Sequence, residues 1–412
     1  MSDSNSDTQQ PCNREMLPRR DWILMPLIGL ATIALVAAST EWIARQLFSK
    51  TKTTFESRLV YDDPSKGVRA IPNSTTWCKR EEFPLLPYRF NSCGHYAAMD
   101  CGPKPQGVHR IVMMGGSFPM GLGVAKETTF ASLLPQALSL QTGRKVELYN
   151  VSMLFRSARV LSLRTDEVIR EDPDTILWII SPRDVEDVSV VLPADFMPQV
   201  VEKQVREKPI GLLATIKHRV QTALSLPAAS VPDVLRAHFQ STETALMLRH
   251  CLYESQSQYV KSYLMGSDSL AGFLRTDPST EWKRRVQDFD NYDAVIEARA
   301  KAAGVPLVVS FFPNRAQAAM ISKGEWPEGY DPYKLDGELR SIVTSHGGIY
   351  IDILPDFRNI SNPEKGYFPV DGHPNPEGHA IIADLLAREL TSGAVPGLRA
   401  TEQNQIVQER GR

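Results

Sequence analysis

Five short runs of almost unbroken apolar residues set the narrowest limit on what this chain can fold into: "HRIVMM" (109–114), "VELYNV" (146–151), "TILWIIS" (175–181), "PLVVSFF" (306–312) and "IYIDIL" (349–354). They lack the alternation of a strand with one wet face, so each reads as a strand covered on both sides. Helical patterns separate them. "TTFASLLPQALSLQ" follows the first run, "SARVLSLRTDEVIRE" follows the second, and "VQDFDNYDAVIEARAKAAG" precedes the fourth and ends at a glycine stop. This alternation predicts an α/β fold around a five-stranded parallel sheet.

Ligands of such sheets bind beyond the carboxyl ends of the strands, so the residues after each run matter most. The first is followed by "GGSFPMGLGV" with Ser117, and the second by "NVSM" with Ser152. "SPRD" after the third offers Arg183 and Asp184, and "PNR" after the fourth offers Asn314 and Arg315. Beyond the fifth comes "YFPVDGHPNPEGHAIIADLL" (367–386). There Asn375 can cap a helix, Pro376 suits its first turn, and Gly393 is expected to stop it. Asp371 and His373 therefore fall in the loop before a helix. A serine hydroxyl is a weak nucleophile until a base takes its proton, and histidine titrates near neutrality. Ser117, His373 and Asp371 could thus serve as nucleophile, base and orienting acid. His379, on the helix itself, reads as structural, and for Arg315 carbonyl capping or pairing with a carboxylate competes with a place in the pocket.

Residues 22–38, "WILMPLIGLATIALVAA", carry no charge, and Trp22 at their start and Trp42 beyond their end would suit the two interfaces of a bilayer span. A cleaved signal peptide is the alternative, given Val36-Ala37-Ala38 and Arg19-Arg20. Cys12 precedes the span, whereas Cys78, Cys93, Cys101 and Cys251 follow it, an even number expected to pair in an oxidising compartment. That places the N-terminus in the cytoplasm and the body outside. A metal site at Cys93, His95 and Cys101 is disfavoured by spacing, and no cofactor is called for. A net charge of −2 gives no sign of a nucleic-acid partner, and "GGSFPMGLG" lacks the Gly-Lys-Ser/Thr ending of a phosphate loop.

The expected organisation is a cytoplasmic segment (1–21), an anchor (22–48), a loop-rich extension (49–107), an α/β domain in two parts (108–189 and 284–394), a helical insertion (190–283) and a mobile tail (395–412). The insertion includes "PIGLLATIKHRVQTAL" and "ETALMLRHCLYESQSQYVKSYL".

"RIVMMGGSFPMGLGV", "VELYNVS", "DTILWIISPRDVED" and "YFPVDGHPNPEGHAIIADLL" together resemble the blocks of the SGNH/GDSL hydrolase superfamily. The resemblance covers roughly 108–189 and 285–392. It implies a flavodoxin-like three-layer sandwich and a catalytic Ser117–His373–Asp371 set. It also implies an oxyanion hole built from Ser117, Ser152 (where the family has glycine) and Arg183 (where the family has asparagine), with Arg183, Asn314 and Arg315 near substrate. The Asp-x-His spacing is similar to that of family members acting on acetylated extracellular polysaccharides. The implied protein is an esterase acting on an O-acyl ester, of a cell-envelope glycan or a small molecule, at a bacterial inner membrane with its domain in the periplasm or outside the cell. An O-acetyltransferase using the same triad and an inactive glycan-binding or assembly protein are the alternatives.

Overall fold

The chain enters through a long helix, α1 (Arg19–Phe48), whose apolar stretch Arg20–Phe48 is long enough to cross a membrane and is exposed along nearly its whole length. The computed structural model describes residues 19–48, 59–60, 67–79, 82–185 and 242–401. Four short strands follow α1: β1 (Leu59–Val60), β2 (Arg69–Ala70), β3 (Thr75–Cys78) and β4 (Leu86–Arg89), paired antiparallel as β1–β2 and β3–β4. The stretch expected to be loop-rich thus contains sheet of its own. It also has its own small core, in which Phe83, Tyr88 and Tyr96 meet Met120 and Leu122.

The five apolar runs form β5 (His109–Gly115), β6 (Val146–Asn150), β7 (Thr175–Ile180), β8 (Leu307–Phe311) and β9 (Ile349–Ile351). All neighbours pair in parallel, in the order β6-β5-β7-β8-β9. In order of sequence this is 2-1-3-4-5, the flavodoxin-like arrangement. Every residue of β5 to β8 is buried, as their lack of alternation predicts. The last run is strand over only three residues, because Asp352 Oδ1 accepts from Leu354 N (3.1 Å) and turns the chain into a 3-10 helix at Pro355–Asn359.

Helices α2 (Ser117–Met120), α3 (Phe130–Thr142), α4 (Ala158–Arg170) and α5 (Pro182–Val185) follow the first three strands. After residues 186–241, which contain "PIGLLATIKHRVQTAL" and lie outside the described residues, come α6 (Glu243–Tyr253), α7 (Gln256–Leu264) and α8 (Asp268–Ala271). Then follow α9 (Thr280–Ala302), α10 (Arg315–Lys323), α11 (Lys334–His346) and α12 (Pro376–Leu390). α3 packs on α12, while α4, α9 and α11 form a second group, so the sheet lies in a three-layer sandwich. Trp178 of β7 stacks on Phe289 of α9 at 5.2 Å, inside the main core.

Three expectations change. Of the four cysteines after the span, Cys93 and Cys101 are disulfide-bonded; Cys78 is buried in the small core, Cys251 is exposed on α6, and neither is in a disulfide. α12 ends at Leu390 rather than at Gly393. Residues 395–401, expected to be mobile, pack on the domain: Leu398 is fully buried and Thr401 N donates to Gln141 O (3.0 Å).

Candidate active site

The loop after β5 makes its turn where side chains cannot fit. A Cβ on Gly116 would lie 2.2 Å from Asp184 Oδ1. Asp184 is held in place because Ser181 donates to its Oδ2 from both N (2.7 Å) and Oγ (2.8 Å). Glycine at 116 therefore lets the loops after β5 and β7 touch, and Ser117 becomes the first residue of α2. The N–H groups of a helix's first turn have no intrahelical partner.

The loop before α12 is built as tightly. Gly372 N donates to Phe368 O (3.0 Å) and Phe368 N to His373 O (2.9 Å), with Gly372 at φ +82°, where a side chain would be strained. This turn folds His373 back onto Asp371. His373 N donates to Asp371 Oδ1 (3.1 Å), and His373 Nδ1 bonds the same oxygen. Asn375 then caps α12 by accepting from Gly378 N (3.0 Å).

Ser117 Oγ lies 2.8 Å from His373 Nε2. With Nδ1–H donating to the Asp371 carboxylate, Nε2 is the acceptor facing the hydroxyl. Ser117, His373 and Asp371 therefore meet in one hydrogen-bonded line, and His373 and Asp371 are each 14% exposed at the side chain. The ring of Phe118 stands edge-on to His373 at 4.7 Å. The three residues open into a cleft of about 450 Å³ walled by Phe155, Arg156, Arg183, Tyr263 and Asn314, among others.

The remaining candidates divide. Arg183 lines the cleft and is exposed. Asn314 also lines it, but its Oδ1 caps α10 and its Nδ2 donates to Tyr263 OH (2.8 Å), so its amide is largely committed to the wall. Ser152 is not in the cleft: it is buried, and its N–H donates to Asn150 Oδ1 (3.1 Å), which withdraws it as an oxyanion donor. Arg315 is not there either. Its guanidinium lies under the site, 2% exposed, stacked on Tyr259 at 4.0 Å and donating to the carbonyls of Pro369 and Tyr253. His379 is fully buried, accepts from Phe130 N (3.2 Å), and is pushed down to about 3, first by burial and then by nearby His373.

Several wall residues escaped the sequence reading. Arg156 has no motif around it, and Tyr259 and Tyr263 come from the helical insertion, where they resemble ordinary amphipathic-helix positions. Glu82, behind the wall, is the most telling. It lies 35 residues before Ser117 and touches the loop of Asp371.

A parallel α/β sandwich with a serine, histidine and aspartate in line at the carboxyl edge of its sheet is the arrangement on which comparisons with known proteins bear. No family model matches the chain, and no curated protein matches it. Solved structures of related shape include TesA, at 10% identity and TM-score 0.37, covering 69% of this chain and 99% of that one. The psychrotrophic esterase EstA from Pseudoalteromonas sp. aligns at 10% identity and TM-score 0.35, over 69% of this chain and 97% of that one. A catalytic mutant of an acetylxylan esterase from Geobacillus stearothermophilus aligns at 12% and TM-score 0.36, over 70% and 97%.

Proposed function

We propose that the protein is a serine esterase acting on an O-acyl ester, with Ser117 as nucleophile, His373 as general base and Asp371 as its orienting acid. The observation that carries this reading is the 2.8 Å contact between Ser117 Oγ and His373 Nε2, two groups 256 residues apart in sequence, with the imidazole's other nitrogen on a carboxylate. In the reaction His373 takes the hydroxyl proton as Ser117 Oγ attacks the ester carbonyl. The tetrahedral intermediate then expels the alcohol, which receives that proton from His373, leaving an acyl-enzyme. Water, deprotonated by His373, attacks the acyl-enzyme and releases the acid. The Ser117 N–H, at the start of α2, serves as a backbone donor to the oxyanion, and Arg183 in the cleft wall as a cationic one.

The finer reading is an acetyl ester on a cell-envelope glycan, reached by a domain held at the outer face of a bacterial inner membrane. Its support is the Asp-x-His spacing and the apolar length of α1. The test uses the full-length protein in detergent. A serine-reactive phosphonate should label a peptide containing Ser117, hydrolysis of p-nitrophenyl acetate should stop with it, and Ser117→Ala should lose both. Absence of labelling under conditions that modify a known serine esterase would overturn the reading. Acyl transfer to an added glycan in preference to water would instead identify a transferase working through the same acyl-enzyme.

A further inference from the structure

The loop that presents Asp371 and His373 is held from below by a buried carboxylate. Glu82 lies between β3 and β4, and its side chain is 2% exposed. Oε1 accepts two consecutive backbone N–H groups of the loop, from Val370 (2.7 Å) and from Asp371 itself (2.8 Å). Oε2 meets His250 Nδ1 of α6 at 2.8 Å. The next residue continues the clamp: the Phe83 ring packs on Phe368 at 4.7 Å and edge-on to His373 at 6.2 Å. Arg315 holds the same loop by the Pro369 carbonyl.

A carboxylate is costly to bury, and the cost is offset only when donors satisfy it. Here two of its three donors belong to the segment that aims the acid and the base. Among the described residues, Lys79 and Arg315 are cations near enough to interact with its charge. A one-residue shift of this loop would move Asp371 off His373, and a misplacement of 1 Å can cost about a hundredfold in rate.

We infer that Glu82 is a positioning residue of the reaction: it fixes the backbone of Val370 and Asp371 so that His373 Nε2 stays within reach of Ser117 Oγ, with His250 holding its second oxygen. Glu82 touches neither the hydroxyl nor the imidazole and acts only through the loop. The inference rests on the triad of the proposed esterase, and it assigns part of the catalytic machinery to the segment before the α/β domain.

The test measures p-nitrophenyl acetate hydrolysis by the full-length protein, with phosphonate titration counting folded active sites. Glu82→Ala leaves two loop N–H groups without their acceptor, so kcat per titrated site should fall about a hundredfold while KM stays within about threefold. Glu82→Gln keeps a carbonyl oxygen for the two N–H groups and an amide for His250, and should restore kcat to within about fivefold of wild type. A Glu82→Ala protein with kcat per titrated site within threefold of wild type would overturn the inference. So would equal losses in the alanine and glutamine variants, which would point to charge rather than position. Should Glu82→Ala yield no folded protein, His250→Ala is read instead: kcat about tenfold lower at unchanged KM supports the clamp, and kcat within twofold overturns it. Ser117→Ala separates the two layers. If it stays active the esterase reading fails, whereas an inactive Ser117→Ala beside an indifferent Glu82→Ala removes the clamp alone.

Discussion

Two loops at the carboxyl edge of the sheet use the same device to opposite ends. In the loop before α12, backbone N–H groups are given to the Glu82 carboxylate, and the side chain of Asp371 is left to hold His373, which faces Ser117. In the loop after β6, the Ser152 N–H is given to the Asn150 side chain, and Ser152 is turned out of the cleft. An oxygen acceptor from a side chain fixes each loop. The difference lies in which groups the fixing leaves over. One loop presents the acid and the base, while the other withdraws the Ser152 N–H, so in the proposed reaction the oxyanion falls to donors such as the Ser117 N–H and Arg183.

The strongest way to break this contrast is at the contact that brings two loops together. Gly116→Ala would drive a methyl group into Asp184 Oδ1, and kcat should drop by about a hundredfold or more, since Ser117 would be displaced from His373. A Gly116→Ala enzyme within fivefold of wild type would mean that the nucleophile's place does not depend on this turn. Gly372→Ala is the next test, straining a residue at φ +82° between the acid and the base; it should cost about tenfold in kcat and about 1–2 kcal/mol in stability, read by steady-state kinetics and thermal melting.

On the other wall, Arg183→Ala should lower kcat about tenfold with little effect on stability, because Arg183 is exposed and is a cation proposed to meet the developing charge. Asn150→Ala should do the reverse. It removes the acceptor of Ser152 N–H and the donor to Pro119 O (2.8 Å), so melting should show a loss of about 1–3 kcal/mol, while kcat changes less than it does in Gly116→Ala.

The smallest effect is expected far from both loops, at Asp293 on α9. Burial raises its carboxyl to about 7, with Glu297 and Asp290 adding to the rise and His346 opposing it. The folded state thus keeps a proton that the unfolded state has lost above about pH 4. Stability from this group therefore declines as pH rises from about 4 to about 7 and levels off beyond. Asp293→Asn should raise the melting temperature more at pH 8 than at pH 5, with activity unchanged.

The sequence is legible where one element carries its own signal. The β5 to β8 runs are readable because both faces of each strand are covered, and Asn375-Pro376 marks the start of α12 because capping is local chemistry. Ser117, Asp371 and His373 are visible because each sits directly beyond a strand or before a helix. Glu82 and Arg315 are not readable in the same way. Their partners lie 288 and 54 residues away, and no local pattern distinguishes a glutamate that will accept two loop N–H groups from one facing water. Ser152 misled for a related reason: its position beyond β6 was visible, but the capture of its N–H by Asn150 depends on how the loop folds. The cysteines misled through counting. An even number suits full pairing, yet Cys78 faces a small core and Cys251 faces solvent.

The C-terminal end of α1 reaches further into the domain than a tether would. Glu41 accepts from Thr244 N (2.9 Å) and Oγ1 (2.8 Å) at the first turn of α6, and Phe48 meets the His250 ring at 5.3 Å. Cutting the chain at residue 49 would thus strip the opening turn of α6 of an anionic partner, and it would take Phe48 from the imidazole that contacts Glu82. From α1 to Ser117 the contacts run through Glu41, α6, His250, Glu82, Asp371 and His373, a line of three carboxylates and two histidines that joins the N-terminal helix to the cleft.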